Sequence, residues 1–256
     1  MRGCVFLVGA GPGDPELLTR KAARCLQEAD LVLYDALVSP EALALAPRAQ
    51  RFQVGKRAGR PSIQQGTINE LMIRAARQGK RVVRLKCGDP FVLGRGGEEA
   101  VALRAAGIPV EVVPGVTSAS AAPALAGIPV THRGYASGVL LVSGHDPEVY
   151  GELLGAAPPQ HVTIVVLMGI QHRDDIARRL MAHGWAPTSP AAIVFGASTS
   201  SESTWTGTLG EIGNAALPPG DLPGTIIVGE VVRLRALIHT VEAEEGSDYE
   251  GFACRE

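Results

Sequence analysis

The stretch that most constrains how this chain can fold is Val82-Val-Arg-Leu-Lys-Cys-Gly-Asp-Pro-Phe-Val-Leu-Gly-Arg-Gly-Gly-Glu98. Val82, Val83 and Leu85 form an apolar strand pattern that runs into a turn rich in Gly and Pro and then into a helix start. In α/β sheets such a strand-to-helix turn is where ligands bind. Cys87-Gly-Asp-Pro predicts a sharp bend, and Gly94, Gly96 and Gly97 remove Cβ atoms so that main chain can lie close to a bound molecule. Three cations, Arg84, Lys86 and Arg95, accompany a single carboxylate, Asp89.

A chain of 256 residues can form one large or two modest domains with an ample core. Its 31 Gly and 18 Pro fit an α/β protein with many tight turns. Cys4, Cys25, Cys87 and Cys254 show no C-x-x-C spacing and no disulfide framework, which points to a reducing cytoplasm. The apolar Val5 to Val8 is interrupted by glycines too early for a signal-peptide core, and Val162 to Met168 is far too short to span a membrane. No His pair has metal-ligand spacing, so no metal is expected. The net charge is −2, but residues 242–256 hold six acids and one Arg, and this acidic tail is expected to be disordered. Twelve of the 24 Lys and Arg lie between Arg51 and Arg104, against four acids, a bias that suits a polyanionic small molecule.

In chain order, a strand at Val5 to Val8 enters Gly9-Ala-Gly-Pro-Gly-Asp14, and Asp14 and Pro15 predict a helix over about 15–29. The glycine cluster is not a dinucleotide fingerprint. Asp14 stands where the third Gly belongs, Pro12 lacks an amide donor, and a carboxylate there would repel a pyrophosphate. Leu31 to Asp35 reads as the second strand, ending in a carboxylate available as a base or a substrate contact, or serving only to cap its loop. Gln53 to Arg57 reads as a short strand and basic turn, and Ile68 to Gln78 as an amphipathic helix with Leu71, Met72, Ala75 and Ala76 inward. A helix over Glu98 to Ala106 and a strand over Val110 to Val113 close the first half.

The segment Gly115 to Gly127 is poor in bulky side chains; Thr117 or Ser118 can cap its helix, and it is the expected domain connection. The second half alternates again: strands over Val139–Ser143, 162–168, Ala192–Phe195 and Thr225–Gly229, a helix near 174–183 and a Ser/Thr-rich segment. This predicts two open-sheet α/β domains, 1–115 and 135–241, joined by a cleft segment at 116–134.

Gly9-Ala-Gly-Pro-Gly-Asp14, Leu33-Tyr-Asp35, Val54-Gly-Lys-Arg57, Val82-Val-Arg-Leu-Lys86 with Asp89-Pro-Phe, Gly94-Arg-Gly-Gly-Glu-Glu99, Val113-Pro-Gly-Val-Thr-Ser118 and Gly127-Ile-Pro-Val-Thr-His-Arg133 occur in order over about residues 3–238. Together they resemble the uroporphyrinogen-III C-methyltransferases of the tetrapyrrole methylase group. The resemblance implies a homodimer of two-domain subunits, each binding S-adenosylmethionine between its domains. The implied reaction methylates carbons 2 and 7 of uroporphyrinogen III, giving precorrin-2 and S-adenosylhomocysteine. It places cofactor contacts on Pro12, Cys87, Gly88, Asp89, Val92, Thr117, Ser118, Met168 and Ala197, and the proton acceptor and donor on Asp35 and Lys56.

Methyl transfer asks a protein mainly to align a sulfonium carbon with a nucleophilic carbon, exclude water and move protons. The eight carboxylates of such a substrate suit guanidinium forks, and Arg95 and Arg133 are the candidates, with Lys56 beside them; Arg84 and Lys86 are weaker ones because alternate strand residues face opposite sides. Cys87 stands where the family usually has Gly. Its Cβ and sulfur either crowd the cofactor and make binding redox-sensitive, or leave the main-chain contacts intact. Two rival functions are methylation of a later precorrin and noncatalytic ligand binding.

Overall fold

The computed structural model describes residues 3–55 and 63–238; Lys56 and the acidic tail at 242–256 lie outside them. The first half is built from β1 (Cys4–Gly9), α1 (Arg20–Gln27), β2 (Leu31–Tyr34), α2 (Pro40–Ala44), β3 (Gln50–Gln53), α3 (Gln65–Arg77), β4 (Arg81–Lys86), α4 (Gly96–Ala105) and β5 (Val110–Val113). The five strands form one sheet in the order β3-β2-β4-β1-β5, with every pairing parallel.

That order determines where the helices go. Right-handed crossovers carry the chain from β1 through β2 to β3 in one direction along the sheet, then back through β4 to β5 in the other. Helices α1 and α2 therefore cover one face and α3 and α4 the opposite one. The pleat sorts the side chains accordingly. Phe6, Val8, Val32, Val83 and Leu85 pack with Ala22, Cys25, Leu26 and Ala42. Val5, Leu7, Leu31, Leu33 and Val82 pack with Ile68, Met72, Ala75 and Leu103. Both faces being covered explains the nearly unbroken apolar strands.

Several elements depart from the sequence expectations. Pro15–Leu17 is a single 3-10 turn under the Asp14 cap, and Leu18 and Thr19 are extended before α1 begins. The Thr19 hydroxyl accepts from the Ala22 amide and opens a new helix, so residues 15–29 are two short pieces. Leu71 is 40 % exposed, while Ile68 takes the inward position ahead of Met72. The short strand lies at Gln50–Gln53 rather than 53–57; every residue of this edge strand is exposed, so no apolar alternation marks it.

The second half contains α5 (Ser118–Leu125), β6 (Ala136–Ser143), α6 (Pro147–Gly155), β7 (His161–Leu167), α7 (Arg173–Ala182), β8 (Pro190–Phe195), β9 (Ser203–Thr208), β10 (Gly224–Val228) and α8 (Leu234–Ile238). Its sheet has the order β6-β7-β10-β8-β9 and is mixed: β6 pairs parallel with β7, and β10 runs antiparallel between β7 and β8. One face packs on Tyr150 and Leu154 of α6 and on Ile176 and Leu180 of α7. The other packs Ala192, Val194 and Ile227 against Ala122 and Ala126 at α5. Two α/β sheets, each with its own core, are thus the architecture. Strand β9 occupies the stretch read as merely Ser/Thr-rich. Among the described residues no helix is long and apolar enough to cross a membrane.

Candidate functional site

Strands β1 and β4 are neighbours, yet the chain leaves β1 toward the α1 face and β4 toward the α4 face. Such a reversal opens a crevice at the carboxyl ends of the two strands, the usual ligand position in doubly wound sheets. Here the crevice is floored by three glycines. A Cβ on Gly115, just past β5, would lie 2.3 Å from the Gly88 carbonyl oxygen and 2.7 Å from Gly9 Cα. A Cβ on Gly9 would lie 2.5 Å from Gly115 Cα. Main chain from β1, β4 and β5 is therefore in direct contact with nothing between.

Hydrogen bonds lock the arrangement. The Ala10 amide donates to the Lys86 carbonyl at 2.7 Å, and Gly88 donates to the Gly11 carbonyl, also at 2.7 Å. Asp89 clamps the turn: Oδ1 accepts from the Phe91 amide at 2.8 Å and Oδ2 from the Gly115 amide at 3.0 Å. Its carboxylate thus organises two loops rather than standing free. Gly88 carries the left-handed bend, with φ of 64°.

The second sheet supplies the opposite wall. Because Leu167 pairs with Thr225 and Phe195 with Gly224, β7 and β8 end side by side across β10. Met168 and Ala197 follow those ends. The Asp14 amide donates to Ser198 Oγ at 2.9 Å, and a Cβ on Gly13 would approach Thr199 and Ser198 at 3.0 and 3.1 Å. The loop carrying Pro12 thereby meets the loop carrying Ala197. The start of α5 closes a third side: a Cβ on Gly88 would lie 3.7 Å from both the Ser118 nitrogen and Thr117 Cα. Thr117 is the cap, its hydroxyl accepting from the Ala119 amide. Met168 and Ser198 hold left-handed φ angles of 58° and 63°. Strain of this kind in non-glycine residues gathers at functional sites.

On the α3/α4 side, a buried charge cluster runs from the crevice into the protein. Leu33, Asp35, Arg84 and Lys86 share one face of the sheet by alternation. Arg84 Nη2 lies 2.5 Å from Asp35 Oδ1, and its Nε donates to Glu99 Oε1 at 3.0 Å. Lys86 Nζ is 3.3 Å from Glu99 Oε2, and Gln65 Nε2 donates to Glu99 Oε1 at 3.0 Å. Glu99 is completely buried, and Arg84 and Lys86 are 3 % exposed. Burial pulls on the Arg84 guanidinium, but Asp35 and Glu99 together hold its pKa above the ordinary range. Burial and then Arg84 push the Lys86 ammonium down, against Asp35 and Glu99. Two of the cations expected to greet a polyanion are thus neutralised within the protein.

Glu99, the shared partner of Arg84 and Lys86, was not among the residues singled out from the sequence. The available signal was chemical: two cations at i, i+2 in an otherwise apolar strand require an internal counter-charge.

Cys87 does not carry the positive φ of the turn. Its side chain packs against the α1/α2 core, on the opposite side from Arg84 and Lys86. Burial, followed by the Asp35 charge, pushes its thiol up to about 12, so it holds its proton at neutral pH and lacks the thiolate that oxidation requires. The bend strain weighed for this residue therefore does not arise. Val92 sits in the turn, its amide donating to the Asp89 carbonyl. Arg95 lies at the start of α4 with both arms on Glu98 at 2.8 and 2.7 Å. Arg133 is exposed in the turn before β6 and, with the other residues of 131–137 and His161, lines a cavity of about 630 Å³ that includes none of the crevice residues. Lys56 is outside the described residues, although Gly55 before it packs on the Asp35 backbone, where a Cβ would be 2.5 Å from Asp35 Cα.

Comparison with known proteins agrees with this architecture. Residues 4–213 match the tetrapyrrole (corrin/porphyrin) methylases. A uroporphyrin-III C-methyltransferase from Thermus thermophilus, solved with S-adenosylhomocysteine, is 47 % identical and superposes with a TM-score of 0.78 over 91 % of this chain and 100 % of that one. A cobalt precorrin-4 methyltransferase is 29 % identical, with a TM-score of 0.75 over 89 % of this chain and 95 % of that one. The siroheme synthase of Methylococcus capsulatus is 48 % identical over 91 % of this chain and 50 % of that protein. The chain spans about half the length of the curated relatives it matches. The glycine-floored crevice, the two sheets that enclose it and the sequence match over most of its length place this chain in the tetrapyrrole methylase family.

Proposed function

We propose that this chain transfers methyl groups from S-adenosylmethionine to carbons 2 and 7 of uroporphyrinogen III, giving precorrin-2 and two molecules of S-adenosylhomocysteine. The observation that carries the reading is the match, over that protein's whole length, to the Thermus thermophilus enzyme crystallised with S-adenosylhomocysteine. The crevice fits such a molecule: its floor has no side chains at Gly9, Gly88 and Gly115, and three loops from two sheets converge on it. When bound, S-adenosylmethionine supplies an electrophilic methyl group on a sulfonium.

The protein's part is positioning and proton handling. Pro12, Cys87, Gly88, Asp89, Val92, Thr117, Ser118, Met168 and Ala197 hold the donor, most of them through main chain. Asp35 accepts the proton released when the ring carbon is alkylated, and Lys56 donates one. Arg95 exchanges its exposed Glu98 partner for a substrate carboxylate, an exchange made easy by the weakness of exposed ion pairs, and Arg133 takes another. Residues 1–115 and 135–241 act as two units and 116–134 as the joining segment; α5 rests on the second sheet while Thr117 touches Gly88 of the first. Two copies form a homodimer in the cytoplasm.

Anaerobic incubation with uroporphyrinogen III and methyl-labelled S-adenosylmethionine, followed by mass spectrometry, tests the reaction. Two added methyl groups are expected. No transfer to uroporphyrinogen III, with transfer to a later precorrin, would instead favour the second reading, which the likeness to a cobalt precorrin-4 methyltransferase supports.

Cys87→Gly is expected to leave S-adenosylhomocysteine affinity nearly unchanged in calorimetry, because the thiol faces the α1/α2 core. Its stability should fall by about 1 kcal/mol through lost packing and added chain entropy. A large gain in affinity would instead show that the side chain crowds the donor.

A further inference from the structure

Three residues of the four-charge cluster, Arg84, Lys86 and Glu99, have no place in the proposed chemistry. The geometry of the cluster is asymmetric. Of the four, Asp35 alone is partly exposed, with 26 % of its side chain accessible, while Arg84 and Glu99 lie behind it at 3 % and 0 %. Asp35 Oδ1 is held by Arg84, and Oδ2 has no hydrogen bond among the described residues. One oxygen is thus anchored inside the cluster.

The anchor is itself anchored. An Arg side chain has four rotatable bonds, and a single contact to Asp35 would leave it free to swing. Arg84 is instead gripped along its length: Nη1 donates to the carbonyls of Leu85 at 3.2 Å and Leu33 at 3.4 Å, and Nε donates to Glu99. Glu99 is in turn held by Gln65 from α3 and Lys86 from β4.

We infer that Glu99 is a positioning residue for methyl transfer, acting through Arg84 to hold Asp35 in the one orientation and charge environment that lets it accept a proton. Lys86 offsets the Glu99 charge, so the cluster is neutral overall and the neighbours of Asp35 carry one net positive charge that matches its carboxylate. Among the described residues, the charged and titratable groups around Asp35 are Arg84, Lys86 and the Cys87 thiol from β4 and Glu99 from α4. This inference rests on the reading of Asp35 as proton acceptor.

Two variants probe it. Glu99→Gln keeps an oxygen that can accept from Arg84 Nε but removes one negative charge. Arg84→Lys keeps a cation that can meet one carboxylate but not bridge two. Both are assayed with uroporphyrinogen III and S-adenosylmethionine, and S-adenosylhomocysteine binding is measured by calorimetry. Expected is a loss of at least about tenfold in kcat with cofactor affinity and KM nearly unchanged, because general-base positioning acts on the chemical step.

The sign of the pH effect follows from charge. Without Glu99 the surroundings of Asp35 gain one net positive charge, which favours its carboxylate and weakens it as a base. The acidic limb of the kcat profile therefore moves to lower pH in Glu99→Gln, read in the acidic range where Lys86 holds its proton. Adding Lys86→Gln to Glu99→Gln restores neutrality and is expected to return the limb toward its original position. A purely structural role would not produce that rescue.

Unchanged kcat and an unmoved limb in folded variants would overturn the inference. So would a parallel loss of cofactor affinity and thermal stability, which would mark Glu99 as support for the fold alone. Asp35→Asn separates the two levels: if it abolishes turnover while Glu99→Gln leaves both kcat and the acidic limb unchanged, only this inference fails; if it leaves turnover intact, the proton-acceptor reading fails first.

Discussion

Asp35→Asn is expected to lower the rate of methyl transfer by about 10²- to 10⁴-fold, the usual contribution of a positioned proton acceptor. Affinity for S-adenosylhomocysteine should change little, because the crevice floor is made by Gly9, Gly88 and Gly115 and the clamp by Asp89. Asn is nearly isosteric, and its carbonyl oxygen can still meet Arg84. What disappears is the charge and the capacity to take up a proton. Loss of one carboxylate from the cluster also leaves a buried excess of positive charge. Breaking a buried pair costs about 3–5 kcal/mol, and the partial exposure of Asp35 reduces that here. Thermal unfolding run beside the assay separates instability from lost chemistry. A folded Asn variant with full turnover would remove Asp35 from the mechanism.

Gly115→Ala should have the second large effect, and for a wholly steric reason. The new Cβ would lie 2.3 Å from the Gly88 carbonyl oxygen, 2.7 Å from Gly9 Cα and 2.9 Å from Gly9 carbon. All three are main-chain atoms at the ends of adjacent strands and cannot rotate away, so the β4 and β5 loops must part. Overpacking of this kind costs about 1–3 kcal/mol. The Gly115 amide bond to Asp89 and the place of Thr117 beside Gly88 would shift with it. S-adenosylhomocysteine affinity is expected to fall by about tenfold or more, since each 1.4 kcal/mol is a factor of ten. Gly66→Ala is the control: it lies in α3 with open space around its Cβ position, and should bind normally and be slightly more stable. Equal affinities for the two variants would show that close contact of the three glycines does not shape the binding site.

Elements with a strong local signal were legible from the residues. The runs at Val5–Val8 and Val82–Leu85 are buried strands, Val110–Val113 is a half-buried edge strand, and Asp14, Thr117 and the Gly88 bend play the local parts their types suggest. Misreadings fell where tertiary context outweighs local pattern. Strands β3 and β9 are sheet edges, β3 wholly exposed and β9 without a fully buried residue, so neither shows alternation. Helix α1 restarts at Thr19, because a side-chain cap there competes with continuing the turn begun at Pro15.

The sequence by itself determined the strand-to-helix turns, the glycines at the strand ends, the cluster of cations near the central strand and the family likeness, because each of these lies in contiguous residues. Only the tertiary structure decided which charges meet. Arg84 joins a carboxylate 49 positions before it and another 15 after it, and Asp14 meets Ser198 across 184 residues. Those contacts follow from the strand order β3-β2-β4-β1-β5 and from the pleat, which turn Asp35, Arg84 and Lys86 to the same covered face. Local residue chemistry cannot choose a partner across a sheet; register and side do, and both are properties of the folded chain.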